Sequence, residues 1–178
     1  MRIGLTQRVL LHQGRAYDSL EHSWYEYLQG HTLIPIPNRL PVSIPDIDVL
    51  IVTGGDDHPV RNHVEHELVD IMLAQNTPVI GICHGCQLLT QKLGGTVTPV
   101  DDHMDSHHEV TYQEQQYLVN SYHKLRIETV PMGATVLARD PDGHSEAWIL
   151  GRTASVMWHP ERMSQPWWPQ EIAQLLTS

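Results

Sequence analysis

Gly81-Ile82-Cys83-His84-Gly85 stands where an apolar run gives way to a helical pattern, and these residue types at this spacing suit nucleophilic chemistry. Glycines on both sides let the backbone turn tightly and present the cysteine side chain. A helix opening at His84 aims its positive end at Cys83. Both effects favour the thiolate, the form of cysteine that attacks. A base is offered by Trp158-His159-Pro160-Glu161, which follows another apolar run: Glu161 can hold one imidazole nitrogen and leave the other for Cys83. Thr53-Gly54-Gly55 also ends an apolar run, and its bare N–H groups suit an oxyanion, with the N–H of His84 as partner. Together these residues predict acyl transfer through a covalent thioester, with no metal or organic cofactor.

Each residue alone has a plainer reading. Cys83 could be a small buried hydrophobe, His159 a hydrogen-bonded strand-end histidine, and Glu161 a solvated charge. Cys83-His84-Gly85-Cys86 is also the C-x-x-C with which a dithiol oxidoreductase opens a helix, although that reading leaves Gly81, Gly54-Gly55 and His-Pro-Glu unexplained. Alternatively, Cys86 packs beneath the turn. Several of the 13 histidines fall in Asp101-Asp102-His103-Met104-Asp105-Ser106-His107-His108. His103 and His107 would share a face, and a divalent metal, if that piece were helical. Its aspartates and its strand-and-loop flanks make a solvated loop the simpler expectation, and no metal site is assigned.

The elements that must position these groups alternate. Buried strands are predicted at Met1 to Thr6, His31 to Ile36, Asp48 to Val52 and Pro78 to Ile82. Asp18-Ser19-Leu20-Glu21 has capping-box spacing and predicts a helix running to Leu28. Val64, Leu68, Ile71 and Met72 mark a second helix ending near Asn76, and a last one covers roughly Pro169 to Leu176. Short strands separated by polar turns fill the second half: Gly95 to Val100, Glu109 to Tyr112, Tyr117 to Asn120, Thr135 to Ala138, Glu146 to Leu150 and Ser155 to Trp158. The pattern predicts an α/β fold with an antiparallel or mixed extension.

The 178 residues amount to one domain, with 11 Lys plus Arg against 21 Asp plus Glu and a formal charge of -10. No basic stripe could track phosphates, so nucleic acid is not an expected partner. The opening MRIGLTQRVL has no uninterrupted apolar core, and no stretch approaches the roughly 18 apolar residues of a membrane span. A soluble cytoplasmic protein is expected.

Gly-Gly, G-I-C-H-G-C-Q and H-P-E, in this order and at these spacings, resemble the class I glutamine amidotransferases, and within them the γ-glutamyl hydrolase-like branch, over most of the chain. The resemblance implies a flavodoxin-like α/β fold: a mainly parallel central sheet flanked by helices, with a small antiparallel extension, in one domain spanning 1–178. It implies a triad of Cys83, His159 and Glu161, oxyanion donors at Gly55 and His84, and Gln87 as a binder of the γ-glutamyl group. Asn120-Ser121-Tyr122-His123 resembles the segment holding the glutamyl α-amino and α-carboxylate groups. Asp142-Gly143-His144-Ser145-Glu146-Ala147 resembles the turn and strand that follow, which brings Glu146 to the leaving-group side. The implied substrate is a small γ-glutamyl amide, hydrolysed to glutamate and ammonia, an amine or a phosphoramidate.

The chain also departs from the pattern. No fused synthetase domain and none of the substrate-covering insertions of longer γ-glutamyl hydrolases are expected, and Thr53 stands where many relatives carry a proline before Gly-Gly. Its length and Ile3-Gly4-Leu5-Thr6-Gln7-Arg8 are similar to a small branch that removes glutamate from γ-glutamyl nucleotide phosphoramidates during capsule decoration. That likeness implies a phosphate contact for Arg8, at the carboxyl end of the first strand. Tyr122, Trp148, Trp158, Trp167 and Trp168 are candidates to shape the acceptor pocket. Two other functions stay open: a glutaminase subunit delivering ammonia to a separate synthase partner, and a non-catalytic γ-glutamyl binder, against which the complete triad speaks.

Overall fold

A computed structural model describes residues 1–42, 44–101 and 103–177, so Asp102 of the histidine-rich segment lies outside the described residues. In chain order the elements are β1 (Arg2–Thr6), β2 (Arg8–His12), β3 (Arg15–Ser19), α1 (Ser23–Tyr27), β4 (Thr32–Ile36), β5 (Val49–Val52), α2 (Pro59–Ala74), β6 (Val79–Ile82), α3 (His84–Lys92), β7 (Thr96–Pro99), β8 (Ser106–Tyr112), β9 (Gln115–Ser121), β10 (Leu125–Thr129), β11 (Thr135–Arg139), β12 (Ser145–Leu150), β13 (Thr153–Val156), a 3-10 turn (Pro160–Arg162) and α4 (Gln170–Gln174).

Among the described residues, eleven strands form one sheet. Its parallel part runs β4-β1-β5-β6-β13, with Ile3 opposite Val49, Leu50 opposite Val79 and Val156 opposite Ile82. Strands buried on both faces read as unbroken apolar runs because alternate residues enter different cores. Val49, Ile51, Ile80 and Ile82 pack with Trp24, Ile172 and Leu176 on one face. Leu50, Val52 and Val79 pack with Val64, Leu68 and Met72 of α2 and Leu89 of α3 on the other. The expected α/β sheet with flanking helices is the observed architecture. Beyond β13 the sheet continues antiparallel through β12, β11, β8 and β9, while β10 joins β12 to β7.

Three elements differ from expectation. Residues 8–19 form a hairpin whose turn uses left-handed Gln13 and Gly14, at φ 49° and 72°. Consequently the first helix does not open at Asp18: that carboxylate accepts hydrogen bonds from the backbone and side chain of Asn38, and the helix begins only at Ser23. Strand β10 was not expected at all. Among the described residues, no helix is long and apolar enough to cross a membrane.

Candidate active site

Strand β6 ends at Ile82, α3 starts at His84, and Cys83 between them adopts φ 50° and ψ -100°. A side chain at positive φ is strained, and the neighbours hold it there. The N–H of Cys83 donates to the carbonyl of Val156 at 2.9 Å, and its carbonyl accepts from Gln87 N at 3.0 Å. Gly81 lies against Gly85, where a Cβ would come within 2.6 Å of the Gly85 carbonyl, and a Cβ on Gly85 would overlap the Val52 carbonyl. Strand and helix approach this closely only because both glycines lack side chains.

His159 follows β13 and reaches the same point. Its Nδ1 lies 2.7 Å from Glu161 Oε1, and its ring stands close enough to Cys83 for the two to interact. Gly54 packs on the imidazole so closely that a Cβ there would overlap Cε1. Burial works against a charged ring, but the bonds to Cys83 and Glu161 outweigh it and raise the His159 pKa to about 9. The cleft thus holds an imidazolium beside the sulfur, the counter-charge a thiolate nucleophile needs.

A cavity of about 190 Å³ opens over the sulfur, lined by Gly55, Asp56, Asp57, Cys83, His84 and Gln87 on one side and by Met104, Tyr122, His123, Lys124 and Leu125 on the other. Both expected oxyanion donors and Gln87 therefore face one space with Cys83. Beyond Tyr122 lies a larger groove of about 750 Å³, walled by Tyr117, Leu118, Asn120, Arg162, Gln165 and Trp167 among others.

The remaining expected contacts are placed differently. Asn120 is spent on the histidine: its Nδ2 donates to the His159 carbonyl and its Oδ1 accepts from His159 N, each at 2.8 Å. Ser121 is fully buried, and its hydroxyl donates to the His103 carbonyl at 2.7 Å. Glu146, expected on the leaving-group side, is also fully buried and faces His108 and His123, because β12 is an interior strand of the sheet. Arg8 pairs with Glu21, packs over Gly55, and does not line the catalytic cavity. Trp148 and Trp158 are core residues, whereas Tyr122 and Trp167 border the groove. Cys86 is wholly buried under the elbow, where its thiol donates to Ser155 Oγ and burial pushes its pKa up, so it does not present a second exchangeable thiolate.

A buried network under the Thr53-Gly54-Gly55 turn escaped the sequence reading. Arg61 Nε donates to Glu65 Oε1 at 2.9 Å, while its Nη2 reaches the Thr53 carbonyl at 2.6 Å and the Gly54 carbonyl at 3.3 Å. Glu65 also accepts from Thr6 at 2.6 Å and faces His84 Nε2 at 2.9 Å; His84 Nδ1 stands 3.2 Å from Asp57. One guanidinium–carboxylate pair therefore ties the Thr53-Gly54 turn to His84, next to both expected oxyanion donors. The signal was present: Arg61 and Glu65 fall on the same stripe of α2 as Val64 and Leu68, where charges belong only when paired. Arg162 likewise went unremarked; it donates to Glu21 at 2.8 and 3.1 Å and lies 5.0 Å over the Tyr122 ring.

The family profile described as glutamine amidotransferase class-I matches residues 15–177.

The chain belongs to the class I glutamine amidotransferase family.

It is an enzyme of the kind that hydrolyses amide C–N bonds. A Gamma-glutamyl-CDP-amidate hydrolase of Campylobacter jejuni is 26% identical across 91% of this amidotransferase chain and 90% of its own. A GMP synthase [glutamine-hydrolyzing] of Corynebacterium ammoniagenes is 28% identical over 72% of the chain but only 26% of its own length. Among solved structures, a glutamine amidotransferase of Thermotoga maritima superposes with a TM-score of 0.72 at 15% identity, over 90% of this chain and 76% of its own, which bears on the fold alone.

Proposed function

We propose that the protein is a stand-alone, cysteine-dependent γ-glutamyl hydrolase whose leaving group is a nucleotide phosphoramidate, the chemistry named for the Campylobacter jejuni relative. Cys83 Sγ attacks the γ-carbonyl carbon while the N–H groups of Gly55 and His84 stabilise the oxyanion. The C–N bond breaks as His159 passes its proton to the departing nitrogen. Water then attacks the γ-glutamyl thioester, His159 takes the proton, and glutamate leaves with the thiol restored. Glu161 holds the ring for both transfers. The observation that carries this reading is an imidazole held by Glu161 at 2.7 Å and standing beside a cysteine at φ 50°.

Two features support a bulky leaving group. The groove of about 750 Å³ adjoins the catalytic cavity through Tyr122, and ammonia would need no such space. Arg162 lines that groove beside Tyr122, where its guanidinium could meet a phosphate. Such a product fits capsule modification. A glutaminase subunit serving a separate synthase is the second reading, supported by the likeness to GMP synthase. Glutamate release by purified protein from L-glutamine, γ-glutamyl amines and a γ-glutamyl nucleotide phosphoramidate separates them. Selective turnover of the phosphoramidate is expected; release from none, or from glutamine alone, would contradict the proposal.

A further inference from the structure

Residues 103–105 form a loop, not a helix, that enters β8, where successive side chains point to opposite faces, so His107 and His108 part company. His107 faces the large groove. His108 turns inward and meets His103 from the loop, His123 from the end of β9 and Glu146 from β12. The three imidazole rings stand 4.8, 4.9 and 6.2 Å apart by centroid. His108 Nε2 lies 3.5 Å from Glu146 Oε2, and His123 Nε2 lies 3.9 Å from Glu146 Oε1.

His123 and Glu146 are buried, His103 and His108 half-buried, and the polar atoms they bring together are enclosed without hydrogen-bond partners. His103 Nδ1, both nitrogens of His108, His123 Nε2 and both oxygens of Glu146 have no hydrogen-bond partner, six of the twelve such buried atoms among the described residues. The side chains of His123 and Glu146 are each fully enclosed. Leaving so many polar atoms unmatched would be costly for a protein, and a shared cation would satisfy them together.

We propose that His103, His108, His123 and Glu146 bind one divalent first-row transition ion as a structural site. One ligand atom each from His103, His108 and Glu146 already lie within 4.8 Å of one another. Ligands about 2.0–2.1 Å from a tetrahedral zinc stand roughly 3.3 Å apart, so small side-chain movements complete the shell. His123 is already oriented as a ligand, because its Nδ1–H donates to the Leu125 carbonyl at 2.9 Å and leaves the Nε2 lone pair facing Glu146. With four protein donors the shell is closed. The ion would tie the 103–108 loop to β9 and β12 and thereby fix Tyr122, His123 and Lys124, one wall of the catalytic cavity. Asp140 and His144, by contrast, satisfy each other within one turn, at 2.7 Å and 3.1 Å, and serve as a control.

The test uses untagged full-length protein, stripped with a chelator and titrated with zinc alone and with cobalt, whose visible absorption reports tetrahedral coordination. One ion per chain is expected, with a rise in Tm on adding zinc. His103→Gln, on the half-buried loop, and Glu146→Gln should each weaken binding by about 100-fold or more and abolish the Tm rise, while His144→Ala binds as the parent does. Circular dichroism confirms that the His103→Gln protein is folded. Absence of one-to-one binding in the parent, or binding that both ligand variants leave unchanged, would overturn the proposal. Because the readout is metal binding, its failure is separate from that of the hydrolase reading.

Discussion

Burial penalises a charge on His159, yet its bonds to Cys83 and Glu161 hold its pKa at about 9 instead of the ordinary 6.5. The imidazolium is therefore present through neutral pH and is lost as pH rises through about 9. The stability it contributes follows the same sign: full below 6.5 and gone above about 9. We expect kcat/KM to fall on the alkaline side near pH 9. Glu161→Gln removes one of the groups that raise His159, so that limb should move to lower pH and kcat/KM should drop by about 10²- to 10⁴-fold. A pH–rate profile with the limb unmoved would contradict the relay. The sequence named Cys83, His159 and Glu161 because each sits in a short local motif, and the fold brings them together. Asn120 was harder: an amide serves a substrate or a backbone equally well, and only the fold shows it clamped on His159.

The same contrast separates the elements. The central strands were legible because burial on both faces leaves an uninterrupted apolar run, as in Val49-Leu50-Ile51-Val52. The β2–β3 hairpin was not, since it pairs only with itself and leaves Leu10, Leu11 and Tyr17 exposed, so its apolar residues do not report burial. Strand β10 was hidden by Arg126 and Glu128, charged residues on the open side of a pair whose buried contact is Ile127. Where β6 hands over to α3, the packing is tightest. Gly85→Ala would drive a methyl group into the Val52 carbonyl, backbone that cannot rotate aside, and should cost about 1–3 kcal/mol or more. A urea midpoint equal to that of the parent would show that β5 and α3 are not pressed together in this way.

At the scale of the whole molecule, Glu65 links the catalytic machinery to the stability of the sheet. It is fully buried between α2, β1 and α3. Burial raises its pKa, but His84, Arg61 and Thr6 outweigh that and hold it below the ordinary 4.5. A depressed carboxylate contributes stability that is full above about pH 4.5 and is lost as pH falls below it. Glu65→Gln leaves Arg61 buried without its counter-charge. It should cost about 3–5 kcal/mol at neutral pH and flatten the acid side of the stability profile. Denaturant midpoints across pH check both, and a steep acid limb that persists in Glu65→Gln would place the titrating group elsewhere. The network reaches the Thr53-Gly54-Gly55 turn through Arg61, so the residues that stabilise the fold also hold the loop of the proposed oxyanion donor. The proposed nucleophile, Cys83, stands at the carboxyl edge of the parallel sheet. The decisive measurement is glutamate release from a γ-glutamyl phosphoramidate by the parent protein and by Cys83→Ala side by side. The account predicts turnover by the parent and none by the variant, whereas a Cys83→Ala protein that still releases glutamate would contradict it.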